Sequence, residues 1–176
     1  MAAVSAVSAR HRIRVALVVG AVLAASLAAF AGPAQAVSPN VVISQVYGGG
    51  GNSGAPFTHD YIELFNRGTA AASVSGWSLQ YASATGTGNL GANTGQLTEL
   101  PSVSLAPGQY LLVEEASTAA VGSPLPAPDV VDPSPISMSA TGGKVALVSS
   151  VTPLGCNGGS TPCPPPRPHP ATARRR

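Results

Sequence analysis

The sequence predicts an all-β fold in which short antiparallel strands pack as a sandwich. Two features of the composition favour this class: Gly 20 and Pro 17 make up about a fifth of the 176 residues, and only 9 % are charged. A chain with so many turn formers and so few charges is neither a helical bundle nor a charge-rich disordered protein. The third observation is the alternation of apolar and mixed residues over residues 60–66, which is typical of a half-buried strand.

The first 36 residues predict a secretory signal peptide. Basic residues within 1–14 precede an apolar run at 15–30, and a small-x-small pattern ends at Ala36. The run is too short to span a bilayer comfortably, so we expect cleavage after Ala36 and a secreted, extracellular product. The alternative is an uncleaved membrane anchor. No later segment has the length and apolar character of a membrane span, so none is expected after cleavage.

The charge of the central part of the chain, between the basic residues of 1–14 and the Pro- and Arg-rich C-terminal segment, argues against nucleic acids as partners. Arg67 and Lys144 are its only Lys or Arg residues, while all seven acids of the chain lie there, which gives a net charge of −5. A domain of that sign lacks the positive surface that a phosphate backbone requires, so strong nucleic-acid binding is not expected. The acids themselves are predicted to be solvated surface residues.

The strand at 60–66 begins the central pair of the predicted sandwich. Ile62 and Leu64 fall on its apolar face, and the opposite face is mixed. Residues 66–69 (Asn-Arg-Gly-Thr) then supply turn chemistry, because Asn and Gly tolerate positive φ.

The second strand of the pair is predicted at 73–84. Gly76 interrupts its alternation, as a β-bulge would. Beyond it Trp77 and Leu79 share a face. The chain has a single Trp, and a Trp side chain buries a large area, so Trp77 is expected to anchor the core; a ligand-binding Trp is the alternative.

A β-branched run at 41–47 predicts the opening strand, with Ile43 in the core. A glycine run at 48–54 ends it. No Lys-Ser/Thr pair follows this run and the next element is a strand, so a phosphate site is not expected. We predict a flexible loop between strands.

Pro107 and Gly108 predict a type II turn, because Pro fixes φ at the first central position and Gly accepts positive φ at the second. A strand at 110–114 follows, and Leu112 is assigned to the core.

The remaining elements are a strand at 96–105, which Pro101 confines in part to a sheet edge, a long surface loop at 116–135, a short strand at 136–138 and a last strand at 144–149. The predicted structural core is Ile43, Ile62, Leu64, Trp77, Leu79, Leu112, Val145 and Leu147.

Two cysteines, Cys156 and Cys163, follow the last strand. In an exported chain such a pair most simply forms a disulfide, although free thiols and an intermolecular link remain open. Two thiols with no nearby His are too few for a zinc site. The sandwich domain is expected to span 37–155, and the Cys-, Pro- and Arg-rich segment 156–176 is expected to be a disordered tail.

Three segments in this order carry a resemblance to a known family: residues 60–66, residues 74–79 (Val-Ser-Gly-Trp-Ser-Leu) and residues 105–113 (Leu-Ala-Pro-Gly-Gln-Tyr-Leu-Leu-Val). Together they resemble the lamin tail domain, over roughly 41–149. The resemblance implies an immunoglobulin-like antiparallel β-sandwich. The chain looks closest to the secreted bacterial form, which the resemblance associates with the N-terminus of extracellular endonuclease/exonuclease/phosphatase-family hydrolases.

The sequence departs from that family after Ser149, where a closing strand is expected and the Cys-Pro segment stands instead. The residues leave open whether the sandwich has its last edge strand. A missing strand would expose its neighbour, and exposed edges pair with other chains, so self-association through an edge strand is a hypothesis.

The residues predict no catalytic, cofactor or metal site. His59 is the domain's single histidine, and Asp60 and Glu63 point to opposite faces of a strand, which makes them a poor acid–base pair. We therefore predict a secreted, non-catalytic binding or tethering module whose partner is an unidentified protein, cell-surface component or polymer. The alternative is the N-terminal fragment of a secreted nuclease- or phosphatase-like hydrolase that lacks its catalytic domain.

Overall fold

The computed structural model describes residues 40–164, which contain strands and no helix. The predicted signal peptide and its cleavage point after Ala36 lie outside this range. In chain order the strands are β1 (Val41–Tyr47), β2 (Tyr61–Asn66), β3 (Ala72–Ser73), β4 (Ser78–Ser83), β5 (Leu97–Glu99), β6 (Ser104–Leu105), β7 (Tyr110–Glu114), β8 (Val130–Val131) and β9 (Gly143–Val148). The predicted all-β class is confirmed.

The strands form a four-stranded sheet in the order β1-β2-β7-β8, a three-stranded sheet in the order β5-β4-β9 and the two-stranded ladder β3-β6. Neighbouring strands are antiparallel throughout, except that β8 runs parallel to β7. The architecture is the expected immunoglobulin-like sandwich, in which β2 lies between β1 and β7 and presents one face to the core.

The core is a single cluster that joins the inner faces of the two larger sheets. Ile62, Leu64 and Leu79 are fully buried at its centre. The other predicted core residues that contact this cluster are partly buried: Ile43, Trp77, Val145 and Leu147. Full burial of one aliphatic side chain contributes about 1.5–3 kcal/mol, so the three central residues alone contribute several kcal/mol.

Leu112 is not a core residue, and this assignment from the sequence is wrong. In β7 the buried residues are Leu111 and Val113, while Leu112 is half-buried and faces outward. Residues 111–113 form a continuous apolar run, in which alternation cannot show which residues point inward. The pairing with β2 decides it, since Leu112 lies opposite outward-facing Glu63.

Gly76 lies in a turn rather than in a bulge. The Trp77 N–H donates to the Val74 carbonyl at 3.1 Å, and Gly76 has a φ of +72°. The turn moves the chain from β3 in the small ladder to β4 in the three-stranded sheet, so the predicted strand at 73–84 is two strands. At the other predicted turn, Gly108 has a φ of +76° and the Gln109 N–H donates to the Ala106 carbonyl at 3.0 Å, which is type II geometry.

The segment after β9 is ordered as far as the structure describes it. The Gln80 amide donates to the Thr152 carbonyl and accepts from the Leu154 N–H, each at 3.0 Å. Cys156 is buried and bonded to Cys163, so the predicted disulfide is present within one chain. Order therefore continues past the expected domain boundary at residue 155, because hydrogen bonds to Gln80 hold the segment on β4 and the disulfide closes the loop that follows.

β9 pairs with β4 alone among the described strands and is an edge of its sheet. Association of two copies through that edge stays a prediction.

Asn66, the last residue of β2, connects three segments with one buried side chain. Its Nδ2 donates to the carbonyls of Ala70, at 3.0 Å, and Leu105, at 2.8 Å. Its Oδ1 accepts from the Gly68 N–H at 2.9 Å. The side chain thus closes the turn after β2 and joins it to β6.

Replacing Asn66 tests this connection. Asn66→Ala leaves two carbonyls and one N–H without their partner, and we expect the free energy of unfolding to fall by about 2–4 kcal/mol. Asn66→Asp places a carboxylate oxygen against both carbonyls and should destabilise the fold at least as much. Urea unfolding followed by Trp77 fluorescence measures both. The exposed control Asn93→Asp should change stability by less than about 0.5 kcal/mol, and an equally small effect at Asn66 would contradict this role.

Candidate binding surface

The outer face of the four-stranded sheet carries most of the aromatic residues. Of the seven aromatic side chains in residues 40–164, only Trp77 and Tyr81 pack in the core cluster. The other five form what we call the aromatic face: Tyr47, Phe57, Tyr61, Phe65 and Tyr110. Aromatic residues are enriched at binding interfaces, because they offer large contact areas at low cost in side-chain entropy.

Strand register sets these side chains in rows across the sheet. Tyr47 of β1 lies opposite Tyr61 of β2, which lies opposite Glu114 of β7. Directly opposed residues share a face. A second row joins Gln45, Glu63 and Leu112, and a third joins Val42, Phe65 and Tyr110.

The rings form two groups. Tyr47 and Tyr61 stack with their centroids 5.4 Å apart, and Phe57 meets both edge-on at 5.7 and 5.8 Å. Phe65 and Tyr110 are 4.6 Å apart. Tyr110 is 52 % exposed, so a ring that already packs on one side presents its other side to solvent.

Polar side chains between the rings are held by hydrogen bonds across the strands. The Tyr61 hydroxyl donates to Gln45 Oε1 at 2.8 Å, and Ser44 Oγ donates to Glu63 Oε1 at 2.6 Å. Ser44 lies where the β1–β2 register shifts, as at a β-bulge. The face is therefore preorganised, which lowers the entropy cost of binding a partner.

Glu114 adds a second carboxylate to the face. Its Oε2 lies 3.8 Å from Nδ1 of His59, whose side chain is about one-third exposed. Glu63 and Glu114 give the aromatic face a negative character.

The glycine run positions one end of this face and is tightly packed. Gly49, Gly50 and Gly51 are buried. A Cβ at Gly50 would lie 2.1 Å from the carbonyl carbon of His59, and one at Gly51 would lie 2.2 Å from the Ala119 carbonyl oxygen. The prediction of a flexible loop is therefore wrong, because only glycine allows these backbones to approach so closely.

Asp60 fixes the glycine run from the other side. Asp60 is 3 % exposed, and its carboxylate accepts from the Gly50 N–H at 2.6 Å and the Met138 N–H at 2.7 Å. Burial raises the pKa of this carboxyl, while the two N–H donors oppose that rise. The expectation that the acids are solvated is wrong here. Asp60 therefore joins the glycine run that precedes its strand to a segment 78 residues away.

Glu115, directly after β7, is the second buried carboxylate. Its oxygens accept from Thr98 Oγ1 of β5 at 2.9 and 3.1 Å, and Oε2 accepts from the Ile136 N–H at 2.7 Å. Burial raises its pKa to about 7. Through Thr98 this residue links the four-stranded sheet to the three-stranded one.

These two carboxylates explain why residues 136–138 are not the predicted strand. The N–H groups of Ile136 and Met138 donate to Glu115 and Asp60, while their side chains are buried in the core. The Ile136 carbonyl accepts from the Ala116 N–H at 3.1 Å. The segment is extended and well bonded, but the carboxylates satisfy donors that a neighbouring strand would otherwise satisfy.

Within 40–164, no three or more His, Cys, Asp or Glu side chains are grouped so that they could hold a metal ion. An open cleft of about 300 Å³ is lined by two acids, Glu99 and Asp132, beside Leu97 and residues 130–133. Over the same range, no helix of sufficient length and apolar character to cross a membrane is present.

The sequence pattern predicted no binding residues, so it did not reveal the aromatic face. The available signal was the second face of the central strand, where Tyr61, Glu63 and Phe65 alternate with the core residues. That pattern cannot show that Tyr47 and Tyr110 extend the same surface, because strand pairing brings them there.

Residues 34–153 match the model of a protein family described as Lamin Tail Domain. None of the curated proteins matches the chain.

The raised pKa of Glu115 predicts that the stability of the fold depends on pH. In the folded state its carboxyl ionises near pH 7, compared with 4.5 for the ordinary value, so the folded chain holds an extra proton between these limits. Stability should fall as pH rises from about 4.5 to 7, by about 3 kcal/mol. Asp60, with its raised pKa, acts in the same direction.

Urea unfolding of the wild type and Glu115→Gln at pH 5 and pH 8 tests this dependence. The Gln side chain keeps an acceptor for Ile136 and loses the charge, so the difference between the two pH values should shrink. Glu99→Gln, at an exposed position, is the matched control and should retain the wild-type difference. Equal differences in all three proteins would refute the assignment.

Gly50→Ala tests the packing of the glycine run. A methyl group would overlap the backbone of His59, so we expect a loss of several kcal/mol or failure to fold. Gly88→Ala, where no atom lies within 4 Å of the added carbon, should fold normally. Thermal melts monitored by circular dichroism compare the two, and a shared Tm would exclude close packing.

Proposed function

The chain belongs to the lamin tail domain family, and we propose that it is a secreted module that binds an extracellular polymer through its aromatic face. The family is an immunoglobulin-like, non-catalytic one, which supports a binding or tethering role for this domain. Export is supported by the basic, apolar and small-residue order of residues 1–36 and by the disulfide between Cys156 and Cys163.

The observation that carries the proposal is the distribution of aromatic residues. The core is built mainly from Leu, Val and Ile, while five rings lie on one outer sheet face. An outward ring such as Tyr110 gains little for folding where it is half exposed to water. A partner that covers the ring would bury its exposed area and gain the free energy of that burial, so we infer that this face is the binding surface.

The chemistry of the face favours a polysaccharide among extracellular polymers. The apolar faces of sugar rings stack on aromatic side chains, and sugar hydroxyls donate to carboxylate and amide oxygens. Glu63 and Gln45 supply such oxygens between the rings, already oriented by Ser44 and Tyr61. A nucleic acid is disfavoured, because the central part of the chain is acidic and the face itself carries Glu63 and Glu114.

Tyr110→Ala is the variant that tests the proposal, because the exposed ring can be removed with little cost to the core. Co-sedimentation with insoluble cellulose, chitin and peptidoglycan measures binding. We expect the wild type to bind at least one of them and the variant to bind it about tenfold more weakly, in line with a loss of about 1.4 kcal/mol.

Val151→Ala is the control. Val151 is exposed and lies outside the four-stranded sheet, so its removal should leave binding unchanged. Failure of the wild type to bind any of the three polymers, or equal binding by both variants, would overturn the proposal.

A further inference from the structure

The aromatic face and the C-terminal segment of the same chain have complementary chemistry. Residues 165–176 (Pro-Pro-Arg-Pro-His-Pro-Ala-Thr-Ala-Arg-Arg-Arg) lie outside the described part and contain four arginines and no acid. The face presents Glu63 and Glu114 among five aromatic rings. Proline rings and arginine side chains both pack on aromatic rings, and proline-rich peptides are commonly recognised by surfaces lined with aromatic residues.

The described structure places the start of this segment at the appropriate end of the sandwich. Gly159 lies beside Lys144, since a Cβ there would be 3.4 Å from the Lys144 ammonium, and Lys144 is the second residue of β9. The residues that precede β9 touch the glycine run that follows Tyr47: a Cβ at Gly49 would be 2.5 Å from that of Ala140. The disulfide loop and the Tyr47 end of the face therefore share one end of the domain.

The length of the segment is also sufficient. Twelve residues in the extended polyproline conformation span about 37 Å, at about 3.1 Å per residue. A domain of this size has a radius of gyration of about 14 Å. An extended segment is therefore about as long as the domain is wide, which is enough to reach the aromatic face from Pro164.

We propose that residues 165–176 dock on the aromatic face of their own chain, with arginines against Glu63 and Glu114 and prolines against the rings. This inference rests on the proposed function, since the docked segment would compete with the polymer for the same surface. The intramolecular contact has a high effective concentration, so weak individual contacts suffice to cover the face. Release of the segment then raises the affinity for the polymer.

The test uses the full chain after export, with Arg174, Arg175 and Arg176 all replaced by Glu. Amide NMR spectra of the wild type and this variant should differ at Glu63, Leu112 and Glu114 and agree at Gln80 and Ala146. Thr172→Ala, which alters the segment without changing its charge, should match the wild type. Raising the salt to 1 M shortens the screening length to about 3 Å and should move the wild-type spectrum toward that of the variant.

Three outcomes would overturn the proposal: identical spectra for the wild type and the charge-reversed chain, changes centred on Glu99 and Asp132 of the open cleft, or changes that vanish on hundredfold dilution. The last outcome would mean that the segment binds a second copy rather than its own chain.

Measurements of polymer binding test the docked segment and the proposed function separately. If the segment covers the face, the charge-reversed chain should bind the polymer several-fold more tightly than the wild type. If Tyr110→Ala weakens binding while charge reversal changes neither binding nor spectra, binding through the aromatic face is supported and docking of the segment is excluded. If Tyr110→Ala has no effect on binding, the function itself is excluded, whatever the spectra show.

Discussion

The structure depends on two buried carboxylates that bond backbone N–H groups far away in the sequence. Asp60 holds Gly50 and Met138, and Glu115 holds Ile136. Burying a charged group is unfavourable unless hydrogen bonds compensate it, and here each carboxylate accepts more than one. The bonds fix the crossing from the four-stranded sheet to β9, because residues 136–138 lie between them and cannot move without leaving a carboxylate unpaired in the core.

The same carboxylates connect the core to the aromatic face. Asp60 directly precedes Tyr61, and Glu115 directly follows Glu114, so each buried acid lies beside a residue of the outer surface. The glycine run, whose Gly50 N–H donates to Asp60, directly follows Tyr47 in the chain. The positions of Tyr47 and Tyr61 are therefore set by interactions on the inner side of the sheet. A surface supported in this way stays in place without a partner, as a tethering module requires.

The domain divides its apolar residues between the core and the outer face of the four-stranded sheet. Aliphatic side chains fill the interior, where close packing rewards branched shapes. Five of the seven aromatic side chains in residues 40–164 lie outside, where a flat ring can meet another molecule without disturbing the core.

The sequence by itself determined the fold class, the family and the turn at Pro107-Gly108. Alternation around Ile62 and Leu64, the Pro107-Gly108 pair and the cysteine spacing are local patterns, and local geometry follows from a few neighbouring residues. Tertiary structure alone decided the rest. Leu112 turned outward because its pairing with Glu63 fixed the register, and Asp60 and Glu115 turned inward because distant N–H groups compensate their burial. The aromatic face joins three strands and a loop far apart in the chain, and no local pattern records which strands become neighbours.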